Sequence, residues 1–139
     1  MKRMAVIFFF AFVLNFVWEN LHSLLYENYM GRPITEFILL RATLADAVMI
    51  AAVAFPFLYF SGLRAHRWIA ILLWIILAVV IELFALSTGR WAYNEYMPLV
   101  PFLGVGLTPT IQLALLGYLS LRLTERPTSQ VPSEPPEHP

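Results

Sequence analysis

Residues 68–86 read WIAILLWIILAVVIELFAL and contain one ionisable side chain, Glu82. A helix needs roughly 20 apolar residues to cross about 30 Å of hydrocarbon, because its backbone polar groups must be satisfied within the segment itself. Residues 4–25 and residues 37–60 also meet this requirement. The pattern therefore predicts an all-α membrane protein in which these three stretches are transmembrane helices.

The composition agrees with lipid as the main solvent. Of the 139 residues, 60% are hydrophobic and only 13% are charged, which is typical of one compact membrane domain. The nine basic and nine acidic side chains cancel, which argues against a nucleic-acid partner. Cysteine is absent, so disulfides, thiolate metal sites and a cysteine nucleophile are excluded.

A fourth span is predicted to be interrupted. Residues 98–106 hold two prolines and two glycines, which prevent one continuous helix. With Thr108 as N-cap and Pro109 as the first helical residue, a helix over residues 109–123 would cover about 22 Å, less than the bilayer requires. The irregular stretch would then complete the span and line a cavity in the protein. The alternative is an interfacial loop outside the hydrocarbon.

The two ends of the chain differ in character. Residues 4–25 follow Lys2 and Arg3 as in a signal peptide, but no small-residue cleavage site follows, so we predict a retained anchor helix. Residues 125–139 are rich in Pro, Ser, Thr and Glu and are predicted to be a disordered tail behind a transmembrane domain over residues 1–124.

The distribution of basic residues predicts the orientation. Six basic residues lie near the helix ends on the side of the termini, and three lie on the other side. This excess favours a cytoplasmic location for both termini. The predicted localisation is the cell (inner or plasma) membrane, as a multi-pass protein. The first group is Lys2, Arg3, Arg64, Arg67, Arg122 and Arg126, and the second is Arg32, Arg41 and Arg90.

Polar residues recur inside the predicted spans, where each ionisable group costs about 2.5 to 3.5 kcal/mol on insertion scales. Asn15, Glu19, His22 and Tyr26 are spaced by four, three and four residues, so they share one face of the first helix. The second helix carries Asp46. The third carries Glu82, flanked on its own face by small residues that favour helix contact.

These groups are predicted to lie at one depth. The helical rise places Glu19 and Glu82 in the outer half of the membrane and Asp46 a few ångströms deeper. The start of the last helix, with Thr108, Thr110 and Gln112, falls at a similar level and would present free N–H groups to the carboxylates or to an anionic ligand. We expect one shared pocket, open toward the outer face. Three carboxylates close together in low dielectric cannot all stay ionised, so one of them is expected to be a proton donor.

Interhelical hydrogen bonding is the structural alternative, worth about 0.6 kcal/mol on average. It is the favoured role for Asn15, Thr43 and Gln112, and an ordinary satisfied side chain remains an alternative for His22. For the three carboxylates the insertion cost exceeds this gain, which favours a functional role. Glu19, Asp46 and Glu82 are therefore the candidate catalytic residues, if the protein is an enzyme.

The chain also resembles an uncharacterised family of small four-helix bacterial integral membrane proteins. The resemblance covers most of the chain and rests on Trp18-Glu19, Tyr26, Asp46, Glu82, Gly89-Arg90-Trp91, Tyr93, Met97-Pro98, Pro101, Gly104-Val105-Gly106-Leu107, Pro109 and Gln112. A more distant similarity is to membrane carotenoid cyclases and hydratases, which also combine intramembrane carboxylates with a Trp/Tyr- and Pro-rich segment. The resemblance implies a four-helix bundle and assigns no role to any single residue.

Three functions are compatible with this pattern. The first is a binding or transport role, in which the pocket holds a lipid headgroup, a proton or a cation. The second is a membrane enzyme that acts on an isoprenoid or lipid by general-acid catalysis, and the third is an accessory subunit of a membrane complex. The expected partners are membrane lipid and, for transport, a second copy of the chain; no cofactor or metal is predicted. The predicted binding residues are Asn15, Glu19, His22, Asp46, Glu82, Arg90, Trp91, Tyr93, Thr108 and Gln112.

Overall fold

A computed structural model of the chain describes residues 2–125 and shows a mostly helical architecture. In chain order the elements are α1 (Lys2–His22), a 3-10 turn (Ser23–Leu25), β1 (Tyr26–Tyr29), α2 (Glu36–Tyr59), α3 (Ser61–Arg64), α4 (Trp68–Ser87), β2 (Trp91–Tyr93) and α5 (Leu107–Thr124). Among these residues, three segments are long and apolar enough to cross a membrane: Lys2–Leu25, Glu36–Tyr59 and Trp68–Ser87. The three predicted apolar helices are thus confirmed. Of the predicted tail over residues 125–139, Glu125 is instead the C-cap of α5, and residues 126–139 lie outside the described residues.

Local sequence signals set the ends of the long helices. The Thr35 side chain accepts a hydrogen bond from the Ile38 amide and caps the start of α2. At the end of α4, Gly89 adopts φ +63°, and the Arg90 amide donates to the Ala85 carbonyl over 2.8 Å. A left-handed residue of this kind reverses the chain after a helix and satisfies its last carbonyls.

The helices form an antiparallel bundle in which α5 contacts each of the other three long helices. Helix α1 packs against α2 and α5, and α5 packs against α4. Half of α5, nine of its 18 residues, is buried, whereas only 22% to 33% of the apolar windows of α1, α2 and α4 is buried. Helices α1, α2 and α4 therefore expose most of their apolar surface to the surroundings, whereas α5 buries half of its residues against the rest of the bundle.

Contacts at both ends fix the directions of the helices. At one end, Arg67 before α4 forms an ion pair with Glu125 after α5. At the other end, the Asn94 amide group donates to the Leu24 carbonyl over 2.7 Å. The end of α1 and the end of α4 therefore lie beside each other, at the end of the bundle where α5 begins.

The predicted start of the last helix is wrong by two residues. The helix begins at Leu107 with Gly106 as its N-cap, and Thr108 lies inside the first turn, where its hydroxyl donates to the Met97 sulfur over 3.3 Å. A Cβ on Gly106 would come within 2.9 Å of Met97 and Pro109, so glycine is required for this close packing. The eighteen residues of α5 span about 27 Å.

The prediction of an all-α fold missed a small sheet. Strands β1 and β2 pair antiparallel, with Tyr26 opposite Tyr93 and Tyr29 opposite Trp91. Each strand is too short to show an alternating pattern in the sequence, and the pairing joins segments that are far apart along the chain. This sheet, with the loops around it, covers one end of the bundle, which we call the sheet end.

Candidate functional site

Gln112 joins three helices beneath the sheet end. Its Nε2 donates to Asn15 Oδ1 over 3.0 Å, to Glu19 Oε1 over 2.5 Å and to Asp46 Oδ2 over 2.8 Å. Asn15 is oriented by its own amide group, which donates to the Ala11 carbonyl over 2.7 Å. The carboxyl groups of Glu19 on α1 and Asp46 on α2 are therefore neighbours around one amide nitrogen of α5.

Glu82 is held by three aromatic side chains of the sheet. The Tyr26 hydroxyl donates to Oε1 over 3.4 Å, the Trp91 indole donates to Oε2 over 3.3 Å, and the Tyr93 hydroxyl also donates to Oε2. The Gly106 amide donates to the Tyr93 oxygen over 2.8 Å. One buried carboxyl group of α4 thus anchors both strands and, through Tyr93, the start of α5.

The two tyrosines are kept as hydrogen-bond donors. Burial and the nearby charge of Glu82 raise the pKa of Tyr26 far above its ordinary value. Burial and the hydrogen bond to Glu82 likewise raise the pKa of Tyr93. Both hydroxyl groups therefore stay protonated over the physiological range and continue to donate to Glu82.

All three candidate carboxyl groups line one cavity of about 130 Å³. It lies between α1, α2, α4 and α5 and reaches the inner side of β1, and most of its surface is apolar. Its lining residues are Glu19, His22, Ser23, Tyr26, Asn28, Tyr29, Ile34, Ile38, Leu39, Ala42, Asp46, Ala78, Ile81, Glu82, Trp91, Pro109, Gln112 and Leu113. The cavity is large enough for several water molecules or a small organic group.

Among the described lining residues, His22 is the one whose fully buried side-chain polar atoms have no hydrogen-bond partner. It is 7% exposed, and neither Nδ1 nor Nε2 has a partner among the described residues. Its ring packs against the Tyr26 ring at right angles with centroids 4.8 Å apart. A buried imidazole normally has at least one partner, so its position in the cavity wall leaves a place for one.

The structure separates the predicted binding residues into two groups. Glu19, His22, Asp46, Glu82, Trp91 and Gln112 line the cavity, and Asn15 and Tyr93 support lining residues through hydrogen bonds. Arg90 and Thr108 are not in the lining. Arg90 is exposed with its guanidinium over the Phe84 ring at 5.1 Å, because the reversal at Gly89 turns it outward. Thr108 turns toward Met97 instead.

Sequence reasoning missed several residues of the cavity wall. The prediction that Tyr26 belongs to the polar face of the first helix is wrong, because α1 ends at His22 and Tyr26 begins β1. Tyr26 lines the cavity, although it is not among the predicted binding residues. Asn28 and Tyr29 line the cavity because β1 folds back over the end of the bundle. The sequence feature that could have pointed to this part of the cavity wall is the occurrence of two aromatic residues, Tyr26 and Tyr29, three positions apart.

The site is rich in acceptors and poor in positive charge. No lysine or arginine is among its lining residues. Within residues 2–125, no group of three or more His, Asp or Glu side chains is placed to hold a metal ion. The chemistry that the described residues offer is therefore acceptance of hydrogen bonds by carboxyl groups and by one imidazole, in a largely apolar cavity.

Comparisons with models of protein families, with functionally described proteins and with solved structures match nothing. The class of protein is therefore defined by its fold and its site. It is a mostly helical protein with three membrane-length apolar helices and a buried acidic cavity. The family resemblance drawn from the sequence stays a prediction.

Proposed function

We propose that this protein is a multi-pass cell-membrane protein that binds the polar end of a small or membrane-dissolved molecule in the cavity under its sheet end. One observation carries the proposal: His22 is buried in the wall of a cavity that also contains three carboxyl groups, and both of its ring nitrogens lack a partner. An unsatisfied buried polar group is costly, by about 1 to 3 kcal/mol. A bound molecule that hydrogen-bonds the imidazole would remove that cost.

The proposed topology has four spans, with α5 as the fourth. Its 18 residues cover about 27 Å, and its polar residues Thr110, Gln112 and Ser120 are buried inside the bundle, away from lipid. Lys2, Arg64, Arg67 and Arg122 lie near the end opposite the sheet, which supports a cytoplasmic location for that end. The sheet end and the cavity would then face the outer half of the membrane.

Mass spectrometry of the protein after gentle extraction tests the binding function. The measurement compares the wild type with His22→Phe, which removes the unpartnered nitrogens, and with Glu19→Gln. His66→Gln is the matched control, because His66 is exposed at the opposite end and contacts the Gly62 carbonyl. We expect one retained molecule in the wild type and the control and its loss in both cavity variants. Equal contents in all four proteins, with only a lower thermal midpoint in the cavity variants, would leave interhelical hydrogen bonding as the role of the cluster.

A second candidate function is general-acid catalysis on a hydrophobic substrate. It is favoured by the placement of Tyr26 and Trp91, whose rings line the same cavity as the carboxyl groups and could stabilise a developing positive charge. Incubation with the retained molecule separates the two functions. An enzyme converts it to a product of changed mass, whereas a binding protein returns it unaltered.

The accessory-subunit alternative places the polar residues against a partner helix. Glu19 and Glu82 are 9% and 4% exposed, so their carboxyl groups face the interior of this chain. A transport role would instead require a second copy, because four helices are few for alternating access. Size exclusion with light scattering measures the oligomeric state. A monomer would argue against both the accessory-subunit role and the transport role.

A further inference from the structure

The cavity is lined by three carboxyl groups, those of Glu19, Asp46 and Glu82, and by no lysine or arginine that could pair with them. Arg41 and Arg90 are the arginines nearest along the chain to Asp46 and Glu82. Both are exposed, with their guanidinium groups 5.9 Å and 5.1 Å from the centres of the Phe37 and Phe84 rings. Buried carboxylates are normally compensated by a cation or a proton.

The contacts of the three carboxyl groups are with neutral donors. Glu19 and Asp46 accept from the Gln112 amide. Glu82 accepts from two phenols and an indole. Such donors satisfy oxygen lone pairs but supply no positive charge. A cationic ligand can pair with any carboxyl group that is ionised, so it would gain more from this cavity than a neutral ligand of the same shape.

Aromatic rings stand beside the carboxyl groups. Tyr26 and Trp91 both line the cavity, with ring centroids 6.0 Å apart and planes at 89°. Aromatic faces attract organic cations, most strongly where water is excluded. In a neutral His22, in the same wall, one unpartnered nitrogen can accept an N–H or O–H hydrogen from a ligand and the other can donate.

We propose that the cavity binds an organic ammonium group, either a protonated amine or a quaternary ammonium. This assignment rests on the proposed binding function and names its ligand class. A bare metal ion fits less well, because no three ligating side chains within residues 2–125 converge on one point and most of the cavity surface is apolar. The ammonium group belongs either to a lipid headgroup or to a free amine.

Titration calorimetry on the full chain in phosphatidylglycerol nanodiscs, which contain no amine, tests the assignment. The probes are choline and ethanolamine, each paired with a neutral isostere: the carbon analogue of choline and ethylene glycol. We expect saturable binding of at least one ammonium probe, with its isostere weaker by about tenfold or more. Equal affinity for probe and isostere would overturn the ammonium assignment and leave the binding function standing. No binding of any probe, with no molecule retained on extraction, would overturn both.

The source of the ammonium group is tested by changing the lipid. In phosphatidylethanolamine nanodiscs, a lipid headgroup that occupies the cavity competes with the free probe and lowers its apparent affinity. An unchanged affinity indicates a free amine. Either result is consistent with the ammonium assignment, which is decided by the isostere comparison.

Charge-removing variants supply an independent test. Glu19→Gln and Asp46→Asn keep a side-chain oxygen as acceptor for Gln112 but remove the negative charge. We expect each to weaken binding of the ammonium probe by about tenfold or more and to leave any binding of the isostere unchanged. Glu27→Gln is the control, because Glu27 is exposed on β1 and outside the cavity lining. Wild-type affinity in both cavity variants would contradict the proposal. The thermal midpoint is measured for each variant, so that a variant that fails to fold is recognised.

Discussion

Gln112 and Glu19 lie 93 residues apart in the chain, and the amide of the first donates to the carboxyl group of the second over 2.5 Å inside the bundle. The same nitrogen contacts Asn15 and Asp46. A primary amide nitrogen carries two hydrogens, so three acceptors around it mean that at least one hydrogen is shared between two of them. Gln112 is therefore the polar junction between α1, α2 and α5.

Replacing Gln112 with Leu is expected to lower stability by about 2 to 4 kcal/mol, because two buried carboxyl groups lose their common donor. Unfolding of the detergent-solubilised protein by denaturant, followed by circular dichroism, measures the change. The matched control is Asn20→Leu. The Asn20 amide bonds only to the Phe16 carbonyl of its own helix, over 2.8 Å, so this change should stay within about 0.5 kcal/mol. Similar losses in both variants would show that Gln112 is not a special junction.

Replacing Glu82 with Gln is expected to loosen the sheet end. A glutamine in this position has one acceptor oxygen where the carboxyl group has two, and its NH2 group would face a donor from the sheet. Loss of a hydrogen bond to a charged group costs about 1.5 to 3 kcal/mol. Hydrogen exchange should therefore become faster in β1 (Tyr26–Tyr29) and β2 (Trp91–Tyr93) and stay unchanged in the middle of α2.

The exposed residue Glu27 provides the comparison for this experiment. Glu27 lies in the same strand as Tyr26, but its side chain is exposed. Glu27→Gln should therefore leave hydrogen exchange in both strands at the wild-type rate. Unaltered exchange in Glu82→Gln as well would mean that backbone pairing alone holds the sheet.

Some of the site could be predicted from the sequence, for reasons that particular residues make clear. Helical periodicity places Asn15 and Glu19 on one face, and both lie near Gln112 in the structure. The rise per residue of an α-helix is enough to predict that Asp46 and Glu19 lie at similar depths in the membrane. Local patterns carry this information because an α-helix has a fixed geometry.

The rest of the site depends on contacts between distant segments. The anchoring of Glu82 requires β1, which carries Tyr26, to pair with β2, which carries Trp91, and strands this short leave no periodic signal. The cap at Gly106 instead of Thr108 depends on the close approach of Met97 and Pro109. Neither feature follows from the propensities of the residues themselves.

The raised pKa of Tyr26 predicts how stability depends on pH. The folded state binds the phenol proton more tightly than the unfolded state, in which the pKa is about 10. This contribution is fully present below that pH and is lost as the pH rises above it. The thermal midpoint should therefore fall as the pH rises above about 10, and it should fall less in Tyr26→Phe, which has no phenol proton at this position. An identical fall in both proteins would contradict the burial of a protonated Tyr26.

The contact of Gly117 with Trp74 predicts a steric cost at the centre of the bundle. Trp74 is fully buried, and a Cβ on Gly117 would lie 2.8 Å from its ring. Gly117→Ala should therefore destabilise the protein by about 1 to 3 kcal/mol in the same unfolding assay, although alanine is the better helix former. Gly62→Ala is the matched control, since a Cβ there meets nothing within 4 Å and the change should be neutral or slightly stabilising. In a Trp74→Phe background the cost of Gly117→Ala should shrink, because the smaller ring leaves room for the methyl group. A cost that stays the same in that background would place the strain elsewhere than at the Trp74 ring.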